Sequence, residues 1–212
     1  MRKRILVAGA AVAALAGCSA SDVHRAQMFL PGAASGIATS SVALDDLTMA
    51  RLADSDVPLI LASRDGKVTG TFTQDAGDGT AEVWVSPEGT QMSMQNGILV
   101  AADMSGDALI RVEPASPVTA LAGASYVRAY HHTDGDGARV TSYDCTMSAP
   151  RSETLSILDT RVPAATLTES CTGPSGATIE NAYAVAADGT VVRSRQWVSA
   201  DLGYVELDRL IR

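Results

Sequence analysis

The chain has 212 residues, with 16 Lys+Arg against 24 Asp+Glu and a formal net charge of −8. A composition of 46% hydrophobic and 19% charged residues can build a core, which excludes wholesale disorder, and the length suits one domain or two small ones. The acidic balance excludes a general nucleic-acid binder, and an aromatic content of 4% excludes a groove paved with stacking rings.

Arg2, Lys3 and Arg4 open the chain with positive charge, and Ile5 to Ala16 follow as an uncharged run rich in Ala and Val. These have the form of the n- and h-regions of a secretory signal. The run is shorter than the roughly 20 apolar residues a spanning helix needs, so it is not itself an anchor. Leu15-Ala16-Gly17-Cys18 resembles a bacterial lipobox. That resemblance implies that residues 1–17 are a lipoprotein signal peptide and that Cys18 becomes the first mature residue and carries the lipid. Ser19 stands where an Asp would favour inner-membrane retention, so the same resemblance implies the outer membrane, with the domain facing the periplasm. Loss of Arg2, Lys3 and Arg4 takes the net charge from −8 to −11 and leaves Lys67 as the single lysine. Residues 18–41 are small and mostly polar and read as a lipidated flexible tether. Residues 42–212 read as one β-rich domain, because no long linker and no repeat of fixed period divides them.

At the start of that domain, Ser40 or Ser41 can cap a short helix over 42–53, with Leu44, Leu47 and Leu52 as an imperfect stripe. Pro58 then begins something extended. Turn signals follow at Asp65-Gly66, Asp78-Gly79, Glu88-Gly89, Asn96-Gly97, Asp134-Gly135 and Asp188-Gly189. Gly adopts positive φ freely and Asn or Asp tolerates it, which is what tight hairpin turns require. Strand-like runs lie between them, at 58–63, 67–73, 81–85, 91–94, 98–102, 108–112, 126–131, 139–145, 181–186 and 190–198. The tail over 202–211 reads as a strand or a short helix. The spacing predicts an all-β fold, an antiparallel meander folded into a sandwich, clam or half-barrel.

Cys145 and Cys171 remain once Cys18 is assigned to lipid, an even count suited to an oxidising periplasm. A bond between them contributes roughly 3.5 kcal/mol by the chain-entropy estimate, and two free buried thiols are the alternative. No His cluster accompanies them, so neither a zinc site nor a redox pair is indicated. His131 and His132 are neighbours in a strand and point to opposite faces, so they do not share a metal simply. Asp134-Gly135-Asp136-Gly137 lacks the distal Glu of a calcium loop and reads as a turn. There is no Gly-x-Ser-x-Gly elbow and no phosphate loop, so no catalytic residue, metal or cofactor is assigned.

Two strands carry Arg beside aromatic rings. Alternation over 191–198 places Arg193, Arg195 and Trp197 on one face and Ser194, Gln196 and Val198 on the other. Tyr126, Arg128 and Tyr130 form a comparable stripe. Arg128, Tyr130, Arg193, Arg195 and Trp197 are therefore a candidate face for an acidic sugar or a partner. The plainer alternative is a solvated face whose guanidiniums stack on rings or pair with the abundant acids.

The apolar stretch from Asn96-Gly97 to Gly106-Asp107, Glu169, Asn181-Ala182-Tyr183 before Asp188-Gly189, and Ser194-Arg195-Gln196-Trp197 occur in an order that resembles the YjbF/GfcB family, the group 4 capsule polysaccharide lipoproteins. The lipobox ending at Cys18 fits the same family, and the likeness spans about residues 40–205. Ala200 departs from it, standing near an expected Pro. The resemblance implies an antiparallel all-β fold and a non-catalytic accessory role in making or exporting surface polysaccharide. It also implies a large outer-membrane export protein and a periplasmic protein as companions, and it carries over no catalytic residue. A carbohydrate-binding module contacting the polymer directly, and a half-barrel carrying lipid, are the competing readings. An enzyme acting on glycans comes last.

Overall fold

The computed structural model describes residues 58–65, 67–78, 80–103, 108–134, 137–158 and 160–210. Cys18, the signal peptide, the tether and the short helix over 42–53 lie outside these residues. The described chain is all β and antiparallel, as expected, with two short 3-10 turns besides.

The first eight strands form a meander: β1 (Leu59–Arg64), β2 (Lys67–Gly77), β3 (Ala81–Val85), β4 (Gln91–Gln95), β5 (Ile98–Ala102), β6 (Leu109–Glu113), β7 (Ser125–Asp134) and β8 (Gly137–Met147). Then follow β9 (Arg151–Ile157), β10 (Thr160–Thr172), β11 (Thr178–Val185), β12 (Val191–Ser199) and β13 (Gly203–Leu210). β13 pairs with β1 in five registered pairs, Leu59↔Leu210 to Ser63↔Glu206. β11 pairs with β12 on one edge and with β10 on the other, so the sheet closes on itself. β9 alone hangs outside that ring, on β10.

The tail is thus a strand. Two strands, β9 and β10, go beyond what the sequence pattern predicts. β9 continues β8 along the same edge of β10: Met147 stands opposite Glu169 and Arg151 opposite Thr166. One extra residue between them makes a bulge at 148–150. Ser148 heals it, its N–H donating to the Thr168 carbonyl at 2.8 Å. Its hydroxyl accepts from the Thr168 N–H at 2.9 Å.

The turns behave as their residues require. Asn96 and Gly97 both take positive φ, 52° and 80°, the pattern of a tight hairpin. Asp188 Oδ1 accepts from the Thr190 N–H at 2.9 Å, and Asp78 Oδ1 from the N–H groups of Thr80 and Ala81 at 2.9 Å each.

The core fills the ring. Trp84, Met92, Ile98, Leu99, Leu109, Met147 and Leu167 are fully buried there. Opposite walls touch directly, since Gln196 of β12 hydrogen-bonds β5 and His132 of β7 hydrogen-bonds the Val198 carbonyl. A filled interior of this kind does not favour the lipid-carrying reading. β1 is buried on both faces, as its unalternating Leu59-Ile60-Leu61-Ala62 suggests. A smaller cluster joins Leu155, Ile157, Ala164, Ala184 and Val192.

The Gly97 turn abuts the start of β12: a Cβ there would stand 2.1 Å from Val191 Cγ2. Gly97→Ala combines that overlap with a backbone conformation disfavoured for L side chains. It should lower stability by about 2 kcal/mol or more, read as a lower urea midpoint at unchanged slope.

Candidate functional site

Strand alternation turns Tyr126, Arg128, Tyr130 and His132 of β7 inward. Arg128 and Tyr130 are 0% and 3% exposed, so they do not share a surface with Arg193 and Arg195. This corrects the candidate face: period-2 spacing separates two faces of a strand but does not say which one is inside.

What holds Arg128 inside is Glu169, which projects from β10 and is also 0% exposed. Arg128 Nε donates to Glu169 Oε1 at 2.5 Å, and the Tyr126 hydroxyl donates to the same oxygen at 2.6 Å. Oε2 accepts from Asn181 Nδ2 at 2.7 Å and from the Tyr183 hydroxyl at 3.2 Å. Four donors satisfy the carboxylate, which is the condition for keeping it dry. The guanidinium is satisfied in turn, by the Pro114 carbonyl at 3.1 Å and the Tyr126 oxygen at 3.3 Å.

Asn181 extends the network to β12. Its Nδ2 also donates to the Tyr130 hydroxyl at 3.0 Å, and its Oδ1 accepts from the Trp197 N–H at 2.7 Å. The β11–β12 ladder stops at Ala182↔Arg195, so here a side-chain amide takes over from the backbone. Trp197 reaches inward, its ring edge-on to Tyr130 at 4.9 Å and near His132 and Tyr143. His132 Nε2 lies 2.6 Å from the Val198 carbonyl. A carbonyl only accepts, so this nitrogen carries the proton. His131 points the other way, 3.4 Å from Glu113. The two rings therefore lie on opposite faces, as the alternation predicts.

The disulfide adjoins this network. Cys145 and Cys171 face each other across β8 and β10 and are bonded. Their sulfurs lie with a Glu169 oxygen within 4.8 Å, a grouping with metal-type donors. The disulfide leaves no thiolate, and Glu169 already accepts four hydrogen bonds, so these donors are committed to the fold rather than to an ion.

Arg193 and Arg195 occupy the outward face. Arg193 chelates both oxygens of Asp208 and donates to the Ser156 carbonyl at 3.0 Å. The Arg195 guanidinium carbon lies over the Tyr204 ring, 3.6 Å from its centre, and Arg195 donates to the Glu180 carbonyl at 3.3 Å. Sequence reasoning missed two cross-ring ties. Arg209 of β13 chelates Glu82 of β3 and stacks over Trp84 at 4.9 Å. Gln196 Oε1 accepts from the Leu99 N–H at 2.8 Å, and its Nε2 donates to the Gly97 carbonyl at 3.1 Å. The inward placement of Gln196 was legible in the alternation; its partners, nearly a hundred positions away, were not.

Burial, and then the nearby Glu169 charge, push the phenols of Tyr130 and Tyr183 above their ordinary range. Burial and the hydrogen bond to Glu169 do the same for Tyr126. Burial works against the Arg128 charge, but Tyr183, Glu169 and Tyr130 more than reverse it.

A model of the family described as group 4 capsule polysaccharide lipoprotein GfcB, YjbF matches residues 38–210. Among solved structures, the fold is similar to the hypothetical lipoprotein YmcC from Escherichia coli K12, at 20% identity and a TM-score of 0.69. That likeness covers 92% of this chain and 97% of the other. A search among curated proteins finds no match.

Two outcomes follow. Glu169→Gln leaves Arg128 as an uncompensated buried charge and should cost about 3–5 kcal/mol, as should Arg128→Met. The double variant should cost clearly less than the sum, by about 2 kcal/mol, in a urea double-mutant cycle; additive costs would show that the pair is not one unit. The second concerns alkali. Tyrosines of the unfolded chain ionise near pH 10, while those of the network stay neutral in the fold. Their contribution is complete below about pH 10 and is lost as pH rises towards the raised folded values. The denaturation midpoint should fall above about pH 10, with native phenolate absorbance lagging that of the unfolded chain; coincident titrations would contradict this.

Proposed function

The chain belongs to the group 4 capsule polysaccharide lipoprotein family, GfcB and YjbF, and on that premise we propose that it is a lipid-anchored, non-catalytic accessory factor in assembling or exporting a surface polysaccharide. It is held to the outer membrane through Cys18, faces the periplasm, and acts by binding an outer-membrane or periplasmic protein. No helix among the described residues is long and apolar enough to cross a membrane, which fits attachment by lipid. One observation carries the non-catalytic reading. The buried titratable groups that the fold gathers, Arg128, Glu169, Tyr126, Tyr130 and Tyr183, are spent on one another as structural hydrogen bonds. Catalysis would instead want a group poised in a cleft with a free lone pair or proton.

Direct contact with the glycan is the second reading, and the Arg195–Tyr204 stack on the outward face favours it, with Arg193 beside it on β12. The deletion strain decides for or against the family role. Loss of the gene should reduce surface polysaccharide several-fold, with restoration by the wild type and not by Cys18→Ala; normal polysaccharide in the deletion strain would sink the proposal. Titrating the full-length lipoprotein in detergent with the cognate polysaccharide should give neither heat nor a Trp fluorescence change, and a saturable signal would move the assignment to the second reading.

A further inference from the structure

β1 is unusual in having two dry faces. Ile60 and Ala62 point into the ring and belong to its core, with Phe72 of β2 directly opposite Ile60. Alternation turns Leu59 and Leu61 the other way, onto the outside of the sheet. Both are nevertheless only 4% exposed. Outward apolar side chains elsewhere are not hidden in this way: Val127 of β7 and Val140 of β8 are 56% and 52% exposed.

The neighbours on the same face do not supply the cover. Directly opposite residues of an antiparallel pair share a face, so Leu61 has Asp208 and Thr71 beside it, and Leu59 has Leu210 and Thr73. Asp208 is held by Arg193, and Thr73 is itself exposed. The β9–β10 hairpin covers the outside of β11 and β12, where Leu155, Ile157 and Ala164 meet Ala184 and Val192. Leu59 and Leu61 belong neither to that cluster nor to the core of the ring. Their burial is a property of the single chain, so the cover is neither a second copy nor a partner. It comes from this chain, outside the described residues.

The sequence offers an occupant. Residues 42–57 lie outside the described residues and run straight into Pro58 and β1. They carry Leu44, Leu47, Met49 and Leu52, interleaved with Asp45, Asp46, Arg51 and Asp54, the composition of a segment with one apolar face. The family match begins at residue 38 and so takes in this segment with the ring. An apolar segment tethered next to an apolar strand face docks at high effective concentration, without the entropy cost of bringing two molecules together.

We infer that residues 42–57 fold back over the outside of β1 as a strap, setting their leucines on Leu59 and Leu61 and bracing the β1–β13 seam where the ring closes. This goes beyond the family role. It gives the segment ahead of the ring a structural task of its own.

The test is thiol labelling of the full-length lipoprotein in detergent. Leu61→Cys adds a thiol to a chain whose Cys145 and Cys171 are bonded, and its labelling is counted above that of the unsubstituted protein. A water-soluble maleimide should react with Leu61→Cys about tenfold or more slowly than with Thr73→Cys, on the same face of the next strand. If Leu61→Cys does not fold, Leu59→Cys takes its place. Adding Leu44→Ser/Leu47→Ser/Leu52→Ser should remove the protection, while a thiol inside the ring, Val112→Cys, stays protected and shows that the ring is intact. Should Val112→Cys open as well, Leu47→Ser alone replaces the triple substitution, with a partial loss of protection expected. Equal labelling at positions 61 and 73 before any serine is introduced overturns the inference. So does protection that survives the serines in an intact ring, or protection that fades on dilution, which would mean that a second copy covers β1. The accessory role in surface polysaccharide is untouched by each of these results and falls only with the deletion strain.

Discussion

A single carboxylate in a dry interior governs this fold. Removing Glu169 and Arg128 from water costs several kcal/mol each, and their mutual attraction offsets that only when every remaining donor and acceptor is satisfied. The chain meets the condition by bringing four strands to one point. β7 supplies Arg128 and Tyr126, β10 supplies Glu169, β11 supplies Asn181 and Tyr183, and Asn181 passes the tie to β12 through the Trp197 N–H. A hydrophobic core alone tolerates a strand sliding by two residues, since the same face stays inside. A buried charge with fixed partners does not. The network therefore specifies register where several ladders are short, as at β8–β10 and β11–β12, which share four pairs each.

Much of the fold was legible because most strands alternate and their turns carry Gly after Asp, Asn or Glu. Two strands were not legible, for a physical reason. β10 contains Pro163, ordinarily a sign against a strand, and its buried side switches from Ala164 to Leu167, so no single period runs through it. β9 reads as polar, with only Leu155 and Ile157 buried. Glu169 lies in that unread stretch, and with it the partner that makes sense of Arg128. An arginine in an alternating strand looks like a surface residue until its counter-charge is found. Arg193 and Arg195 have no such inward partner and lie where the alternation put them.

The short strings that resemble the family meet in space. Glu169, Asn181 and Tyr183 form the network, Trp197 closes it, and Gln196 joins Ser194 to the Gly97 turn. They are the means by which the walls of this ring are tied together.

The pairing of β13 with β1 has a consequence for how the protein is made. The first and last strands of the ring are neighbours, so five ladder pairs wait for residues 206 to 210. A chain synthesised in N-to-C order presents β1 early and its partner β13 late. Until then two raw edges, of β1 and β12, stay open to any other strand nearby, and contacts so distant in sequence form slowly. The ring is thus completed only once residues 206 to 210 are free to pair with β1, and anything that shields exposed strands protects the chain during that interval.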